Sequence, residues 1–170
     1  MRKNGMKRGS VVWALFWWAL ALGWAGMLFW FSGQDGVDSA SLSGRLARAL
    51  LARMPFISVS EVTFEYCLRK LAHFGIFALE GFLMRIALYN TRPSRGLNGL
   101  IAALVCCPVA VLNELHQLKA VGRSCSVTDM LIDMSGALVG IAAASLICWI
   151  CESIWVRRRY FRMMRHKKTE

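Results

Sequence analysis

Four apolar stretches, each long enough to cross a lipid bilayer, constrain this chain more than any other feature of its sequence. They lie at about residues 11–31, 69–89, 97–114 and 129–150. A membrane-spanning helix needs about 20 predominantly apolar residues, and it satisfies its own backbone hydrogen bonds within the bilayer. Hydrophobic residues make up 56% of the 170 positions, above the roughly 45–50% typical of soluble proteins. The sequence therefore predicts an all-α bundle of four transmembrane helices, forming one domain over residues 1–170.

The first apolar stretch follows a basic N-terminus, as the core of a secretory signal peptide also does. It is longer than the roughly 7–15 residues of a signal-peptide core, and no small-x-small cleavage site follows it. We therefore expect an uncleaved membrane anchor.

The formal net charge of +11 is concentrated beside the apolar stretches. Basic residues that flank membrane spans lie predominantly on the cytoplasmic side. Of the 21 Lys and Arg residues, fourteen fall on one side of the membrane, in the N-terminus, around the connection between spans 2 and 3, and in residues 151–170. The other seven fall on the opposite side, in the remaining two connections. This distribution predicts a multi-pass protein of the cytoplasmic membrane with a cytoplasmic N-terminus and a basic cytoplasmic tail. It favours the lipid bilayer, and not nucleic acid, as the partner of the positive charge.

A shorter amphipathic pattern follows the first span. Leu42, Leu46, Leu50 and Met54 recur every four residues, as on one face of a helix, and Pro55 ends the pattern. The pattern predicts either an interfacial helix between spans 1 and 2 or a loop helix that packs on the protein itself.

Polar and ionisable side chains collect where three of the spans begin or end on the same side of the membrane. They are Arg69, Lys70 and His73 in span 2, Glu114 and Gln117 at the end of span 3, Arg123 in the loop that follows, and Asp129 and Asp133 in span 4. Ionisable groups near hydrocarbon are costly and are seldom retained without a use. The sequence therefore predicts a polar pocket, built from these residues, that faces outward from the cell.

Helical spacing refines this expectation. Arg69, His73 and Glu80 are four and seven residues apart, so they share one face of span 2. In span 4, Gly136 and Gly140 lie about one turn apart and predict the close approach of a neighbouring helix.

Two functional interpretations of the pocket follow from the residue types. Arg and Lys can hold a phosphate or carboxylate, which on the outer face points to an anionic lipid head group or a lipid-linked cell-wall precursor. Alternatively, His73 and Glu114 could act as general acid and base in an enzyme, although no nucleophile motif or phosphate loop accompanies them.

In a third interpretation the polar groups only hold the helices together by satisfying one another. His73 would then bond Asp133. Arg123 would pair with either Asp129 or Glu114.

The sequence predicts neither a metal nor another cofactor. It contains no HExxH motif, and Cys148 and Cys151 form one isolated CxxC at the end of a span. Cys67 and Cys125 are expected on the same side of the membrane, so a disulfide between them stays open. Nothing in the sequence indicates an oligomeric state.

The order and spacing of these motifs resemble the VanZ-like family. The matching elements are Phe31-Ser-Gly-Gln34, Arg69-Lys-x-Ala-His-Phe74, Glu114-x-His-Gln117, Gly122-Arg-Ser124 and Asp129-x-x-x-Asp-x-x-Gly-Ala137. The resemblance implies a small multi-span bacterial membrane protein of the cell envelope. Because the family's namesake is associated with resistance to teicoplanin, it also implies a role in lowering glycopeptide susceptibility, without supplying a reaction.

The chain departs from the family's pattern at three positions. Phe77 stands where family members often carry Tyr, Lys119 stands where an apolar residue is usual, and Glu80 is an unusual acid within a span. The first two departures bear on the details of a substrate or partner and leave the resemblance intact.

Overall fold

A computed structural model of the chain describes residues 8–34, 36–54, 56, 58–91 and 95–167. These residues form five helices and no strand. The helices are α1 (Arg8–Ser32), α2 (Gly36–Leu51), α3 (Glu61–Thr91), α4 (Arg95–Gln117) and α5 (Val127–Lys167). Four of them, all except α2, are long and apolar enough to cross a membrane. The predicted all-α, four-span architecture is thus confirmed, and the chain is a membrane protein.

Two of the helices are longer than the spans predicted from hydropathy. At 1.5 Å per residue, the 31 residues of α3 and the 41 residues of α5 extend about 46 Å and 61 Å, whereas a bilayer core is about 30 Å thick. The segment 61–68, which hydropathy assigned to a connection, belongs to α3. Its first turn is capped by Ser60, whose Oγ accepts a hydrogen bond from the amide of Thr63 at 3.2 Å.

The short helix predicted after the first span is α2, and one of its faces packs on α3. Ala47 is fully buried, and the Ser43 hydroxyl donates to Glu65 of α3 at 2.6 Å. Leu42 and Leu46 are 62% and 49% exposed. The structure therefore shows α2 packed on the protein. Its exposed leucines are consistent with the membrane interface, and that position stays a prediction.

The glycines of α5 allow it to cross α3 at short range. A Cβ atom on Gly140 would lie 2.7 Å from the carbonyl carbon of Ala78, and one on Gly136 would lie 3.1 Å from that of Phe74. Both distances are below the 3.4 Å at which ordinary van der Waals contact begins. The close approach predicted from the glycine spacing is confirmed, and the neighbouring helix is α3.

α1 and α4 complete the bundle. The indole N–H of Trp24 in α1 donates to the carbonyl of Ile76 in α3 at 2.9 Å. Ser32 at the end of α1 bonds His116 at the end of α4, with 3.0 Å between Oγ and Nδ1. The C-terminal ends of α1 and α4 thus lie together, and they adjoin the N-terminal parts of α3 and α5. We call this end of the bundle the polar end.

Several sequence predictions concern residues outside the described ranges. They are Arg2, Lys3 and Lys7, Pro55, residues 92–94 and residues 168–170. Cys67 and Cys125 are described, and both are free thiols. The disulfide between them is therefore not formed.

Candidate functional site

The predicted site residues converge at the polar end from three helices and one loop. We call the following set the polar cluster: Lys70, His73, Glu114, Gln117, Arg123, Asp129 and Asp133. Arg69 stands at its edge, where its guanidinium donates to Glu65 of its own helix at 3.0 Å.

Asp133 and His73 link α5 to α3 within the bundle. Nδ1 of His73 lies 3.1 Å from Oδ1 of Asp133, so the predicted hydrogen bond is present. The Asp133 side chain is fully buried, whereas that of His73 is 16% exposed. Oδ2 of Asp133 has no hydrogen-bond partner among the described residues, although a buried carboxylate oxygen ordinarily has one.

Lys70 and Asp129 form a second link between α3 and α5, one helical turn nearer the end of the bundle. Their ammonium and carboxylate groups are in direct contact, and their side chains are only 20% and 16% exposed. α3 and α5 run in the same direction. Lys70 and His73 of α3 therefore face Asp129 and Asp133 of α5 as two successive pairs, about one helical turn apart. The sequence alternative that paired Asp129 with Arg123 is wrong, because Asp129 pairs with Lys70 and Arg123 makes no ion pair within the described residues.

Glu114 joins the end of α4 to the loop that precedes α5. It is fully buried, and its Oε1 accepts from the side-chain amide of Gln117 at 2.8 Å. Its Oε2 accepts from the backbone N–H of Ser126 at 3.2 Å. The contact with Ser126 was missed from the sequence, because a backbone donor leaves no signal in the residue type.

Arg123 has a different environment from the other basic residues at the polar end. Its guanidinium is half-buried and makes no hydrogen bond or ion pair within the described part of the chain. Burial lowers the pKa of Arg123, the nearby charge of Arg69 lowers it further, and Glu114 acts in the opposite direction. Arg123 therefore interacts with Glu114 through its charge, without the predicted close pairing.

The loop backbone sets the position of Arg123. Gly122, the residue before it, has a φ of 74°, a left-handed conformation that glycine adopts without strain. The amide of Gly36, at the start of α2, donates to the carbonyl of Val121 at 2.9 Å. The loop is thus held against α2, which places Arg123 beside the other members of the polar cluster.

His116 lies outside the polar cluster and contacts α1. Besides its bond to Ser32, its ring meets Phe29 edge-on at a centroid distance of 5.8 Å. Ser32 is only 4% exposed, and it belongs to the first of the motifs that carried the family resemblance. The contact between the first and third motifs was missed from the sequence, because 84 residues separate its two members.

Three members of the polar cluster form a group that could hold a metal ion. His73, Glu114 and Asp133 each offer one donor atom, and these atoms all lie within 4.8 Å of one another. The sequence predicted no metal because the three residues come from three different helices and share no local spacing.

Glu80 lies deeper in the bundle on the same face of α3 as His73. At 1.5 Å per residue it is about 10 Å farther from the polar end. Its side chain is fully buried, and neither carboxylate oxygen has a hydrogen-bond partner among the described residues. Its distance along the helix separates it from the polar cluster.

Comparison with known proteins was made against families, curated proteins and solved structures. A family model described as VanZ/LLP1 matches residues 16–150. The matched segment is most of the chain and includes every residue of the polar cluster. No curated protein and no solved structure matches the chain.

Proposed function

The chain belongs to the VanZ/LLP1 family, and from that premise we propose that it binds an anionic ligand of the cell envelope at its polar end. The ligand class is a phosphate-bearing lipid head group or lipid-linked cell-wall precursor. Arg123 carries the proposal, because its half-buried guanidinium has no hydrogen-bond or ion-pair partner within the described residues. A guanidinium presents a planar fork of donors that matches a phosphate or carboxylate.

The charges around Arg123 support an anion at this position. The charge of Arg69 is near enough to lower the pKa of Arg123, after the larger effect of burial. Two neighbouring guanidinium groups repel one another, and an anion between them relieves that repulsion. Lys70 contributes less, because Asp129 already neutralises it.

The orientation of the chain supports an envelope ligand. By the excess of Lys and Arg at the two termini and around the connection between α3 and α4, both termini lie in the cytoplasm. The polar end then faces outward from the cytoplasmic membrane, where cell-wall precursors are assembled into polymer. We propose that binding there alters the envelope and lowers susceptibility to teicoplanin.

Direct binding tests the proposal. The full chain is placed in nanodiscs of zwitterionic lipid and titrated with a short-chain phosphatidic acid or with a lipid-linked disaccharide pyrophosphate. A hydrogen-bonded charge contributes about 1.5–3 kcal/mol, so Arg123→Ala should weaken binding by about 10- to 150-fold. Arg123→Lys should lose less, because it keeps the charge but loses the fork.

The matched control is Arg45→Ala, which removes the same charge from an exposed position of α2 near the polar end. It should leave the affinity unchanged. Equal losses for Arg45→Ala and Arg123→Ala would reduce the effect to general electrostatic attraction and refute a specific site.

Glycopeptide susceptibility tests the consequence for the cell. A sensitive Gram-positive host expresses the wild-type chain, Arg123→Ala, Glu114→Gln or Arg45→Ala at matched membrane levels. Protection by the wild type and Arg45→Ala, together with its loss in the other two variants, is the expected pattern. No protection by any chain would separate ligand binding from resistance and remove the second part of the proposal.

A membrane-embedded enzyme is the second candidate, and the hydrogen bond between His73 and Asp133 favours it. A buried carboxylate that bonds an imidazole orients it for proton transfer. Glu114 is fixed as an acceptor by Gln117 and Ser126, which leaves His73 as the residue to move a proton. The test measures whether the wild-type chain converts the lipid-linked disaccharide pyrophosphate into a product. Product formation that is abolished in His73→Gln, while this variant still binds the lipid, would establish this function in place of simple binding.

A further inference from the structure

We propose that His73, Glu114 and Asp133 form a binding site for a divalent transition-metal ion. Their donor atoms lie within 4.8 Å of one another, and the three helices α3, α4 and α5 each supply one ligand. Zinc binds nitrogen and oxygen ligands at about 2.0–2.2 Å, which places two ligands of a tetrahedral ion about 3.4 Å apart. The 3.1 Å between His73 Nδ1 and Asp133 Oδ1 is already close to that spacing. Side-chain rotation has to shorten the two separations that involve Glu114 by at most roughly 1.4 Å each.

The burial of two carboxyl groups favours a cation in this group. Glu114 and Asp133 are both fully buried, and a buried carboxylate is costly unless a positive charge or several hydrogen bonds compensate it. Lys70 does not serve this purpose, because it is in contact with Asp129. Glu114 has two hydrogen-bond donors, so Asp133, with one imidazole contact and one unused oxygen, is the carboxylate that a cation would compensate.

An unpartnered atom within the group gives an independent indication of a ligand. Oδ2 of Asp133 is buried and has no hydrogen-bond partner among the described residues. The other oxygen of the same carboxylate faces His73, so this side chain is fixed in the group with one acceptor unused. A metal ion held by both oxygens of this carboxylate would satisfy Oδ2, which no donor among the described residues reaches.

Groups around the site hold the ligands as the outer shell of a metal site does. The Glu114 carboxylate accepts from Gln117 at 2.8 Å and from the Ser126 amide at 3.2 Å. A carboxylate can accept about four hydrogen bonds, so lone pairs remain for a cation. Hydrogen bonds of this kind orient metal ligands, and their loss typically lowers metal affinity about 10- to 100-fold.

The donor set indicates the class of metal. One imidazole nitrogen and two carboxylate oxygens, with no thiolate, suit Zn²⁺ or Mn²⁺ and not a soft ion such as Cu⁺. Three protein ligands leave a coordination position for water or another molecule, as in catalytic zinc sites and unlike closed structural ones.

Metal titration of the full chain tests the site. The protein is purified in detergent, treated with a chelator and titrated calorimetrically with ZnCl₂ or MnCl₂ and no other ligand. We expect one ion per chain for at least one of the two metals. Asp133→Asn and Glu114→Gln, which keep the side-chain size, should each lower the affinity by at least about 10-fold.

The controls are His116→Gln and Glu61→Gln, which remove a comparable side chain at the same end of the bundle but outside the group. Both should bind metal as the wild type does. Absence of binding by the wild type, or equal affinity in Asp133→Asn and the wild type, would overturn the proposal.

Cobalt spectroscopy keeps the test valid if a variant fails to fold. Co²⁺ bound to the wild-type chain at a four- or five-coordinate site should give visible absorption bands that added Zn²⁺ removes. A spectrum equal to that of Co²⁺ in buffer, together with the absence of calorimetric Zn²⁺ and Mn²⁺ binding, would overturn the proposal without the use of any variant. Arg123→Ala should retain the metal while losing the anion, so failure of this proposal is distinguishable from failure of the proposed function.

Discussion

Replacing Gly140 by Ala adds one methyl group where α5 crosses α3, and we expect it to push the two helices apart. The new Cβ would lie 2.7 Å from the carbonyl carbon of Ala78 and 2.9 Å from the amide nitrogen of Phe82, against the 3.4 Å of ordinary contact. Both of these atoms are backbone, so no side chain can move to make room. The helices must therefore separate by about 0.7 Å or more at this point, a form of overpacking that typically costs about 1–3 kcal/mol.

The separation should also reach the polar cluster. The distance between His73 and Asp133 is 3.1 Å, and a displacement of about 0.7 Å would stretch it to about 3.8 Å, beyond hydrogen-bonding range. Unfolding of the purified chain in mixed micelles by increasing SDS measures the loss of stability. With the other four cysteines replaced by serine, a thiol-reactive dye reports exposure of the buried Cys106 and Cys148. The control is Gly75→Ala in α3, where an added Cβ meets nothing within 4 Å. Equal unfolding free energies for the two variants would refute the close crossing of α3 and α5.

Three further predictions concern the contacts at the polar end and the orientation of the chain. His116→Ala removes the link from α4 to α1, so the free energy of unfolding in micelles should fall by about 1–3 kcal/mol; an unchanged value would mean that the contact is not made. Lys70→Ala should destabilise the chain more than the double variant Lys70→Ala with Asp129→Ala does, because the single change leaves a partly buried carboxylate unpaired. Additive effects in a double-mutant cycle would contradict this. In intact cells, with the exposed native cysteines replaced by serine, a membrane-impermeant thiol reagent should label Ser58→Cys and not Gly96→Cys, and the reverse would invert the proposed orientation.

The sequence predicts the parts of the site that lie on regular helices. The proximity of His73 and Asp133 was predictable for three reasons. Hydropathy located their spans, the distribution of basic residues indicated that both spans begin on the same side of the membrane, and each residue lies near the start of its helix. The close approach at Gly136 and Gly140 was predictable for a similar reason, since a small residue at each successive turn leaves one helix face flat. In these cases local periodicity determines the position of the side chain.

The environment of Arg123 could not be predicted in the same way. Its position depends on the left-handed conformation of Gly122 and on the hydrogen bond from Gly36 to Val121. Neither feature follows from helical spacing, and the sequence allowed pairing with Asp129, a carboxylate that Lys70 occupies in the structure. Long-range contacts of irregular backbone decide which of several basic residues remains unpaired.

The distribution of satisfied and unsatisfied groups in the polar cluster bears on the choice between a structural network and the two proposed sites. An unpaired polar group away from water is costly, so each group of a network that only holds helices together is expected to have a partner. Lys70 and Asp129 meet this condition, as does Glu114 through its two donors. The second oxygen of Asp133 is buried and has no hydrogen-bond partner among the described residues, and the partly exposed guanidinium of Arg123 makes no ion pair within them. The proposed anion would pair with the cation of Arg123, and the proposed metal ion would satisfy the acceptor on Asp133.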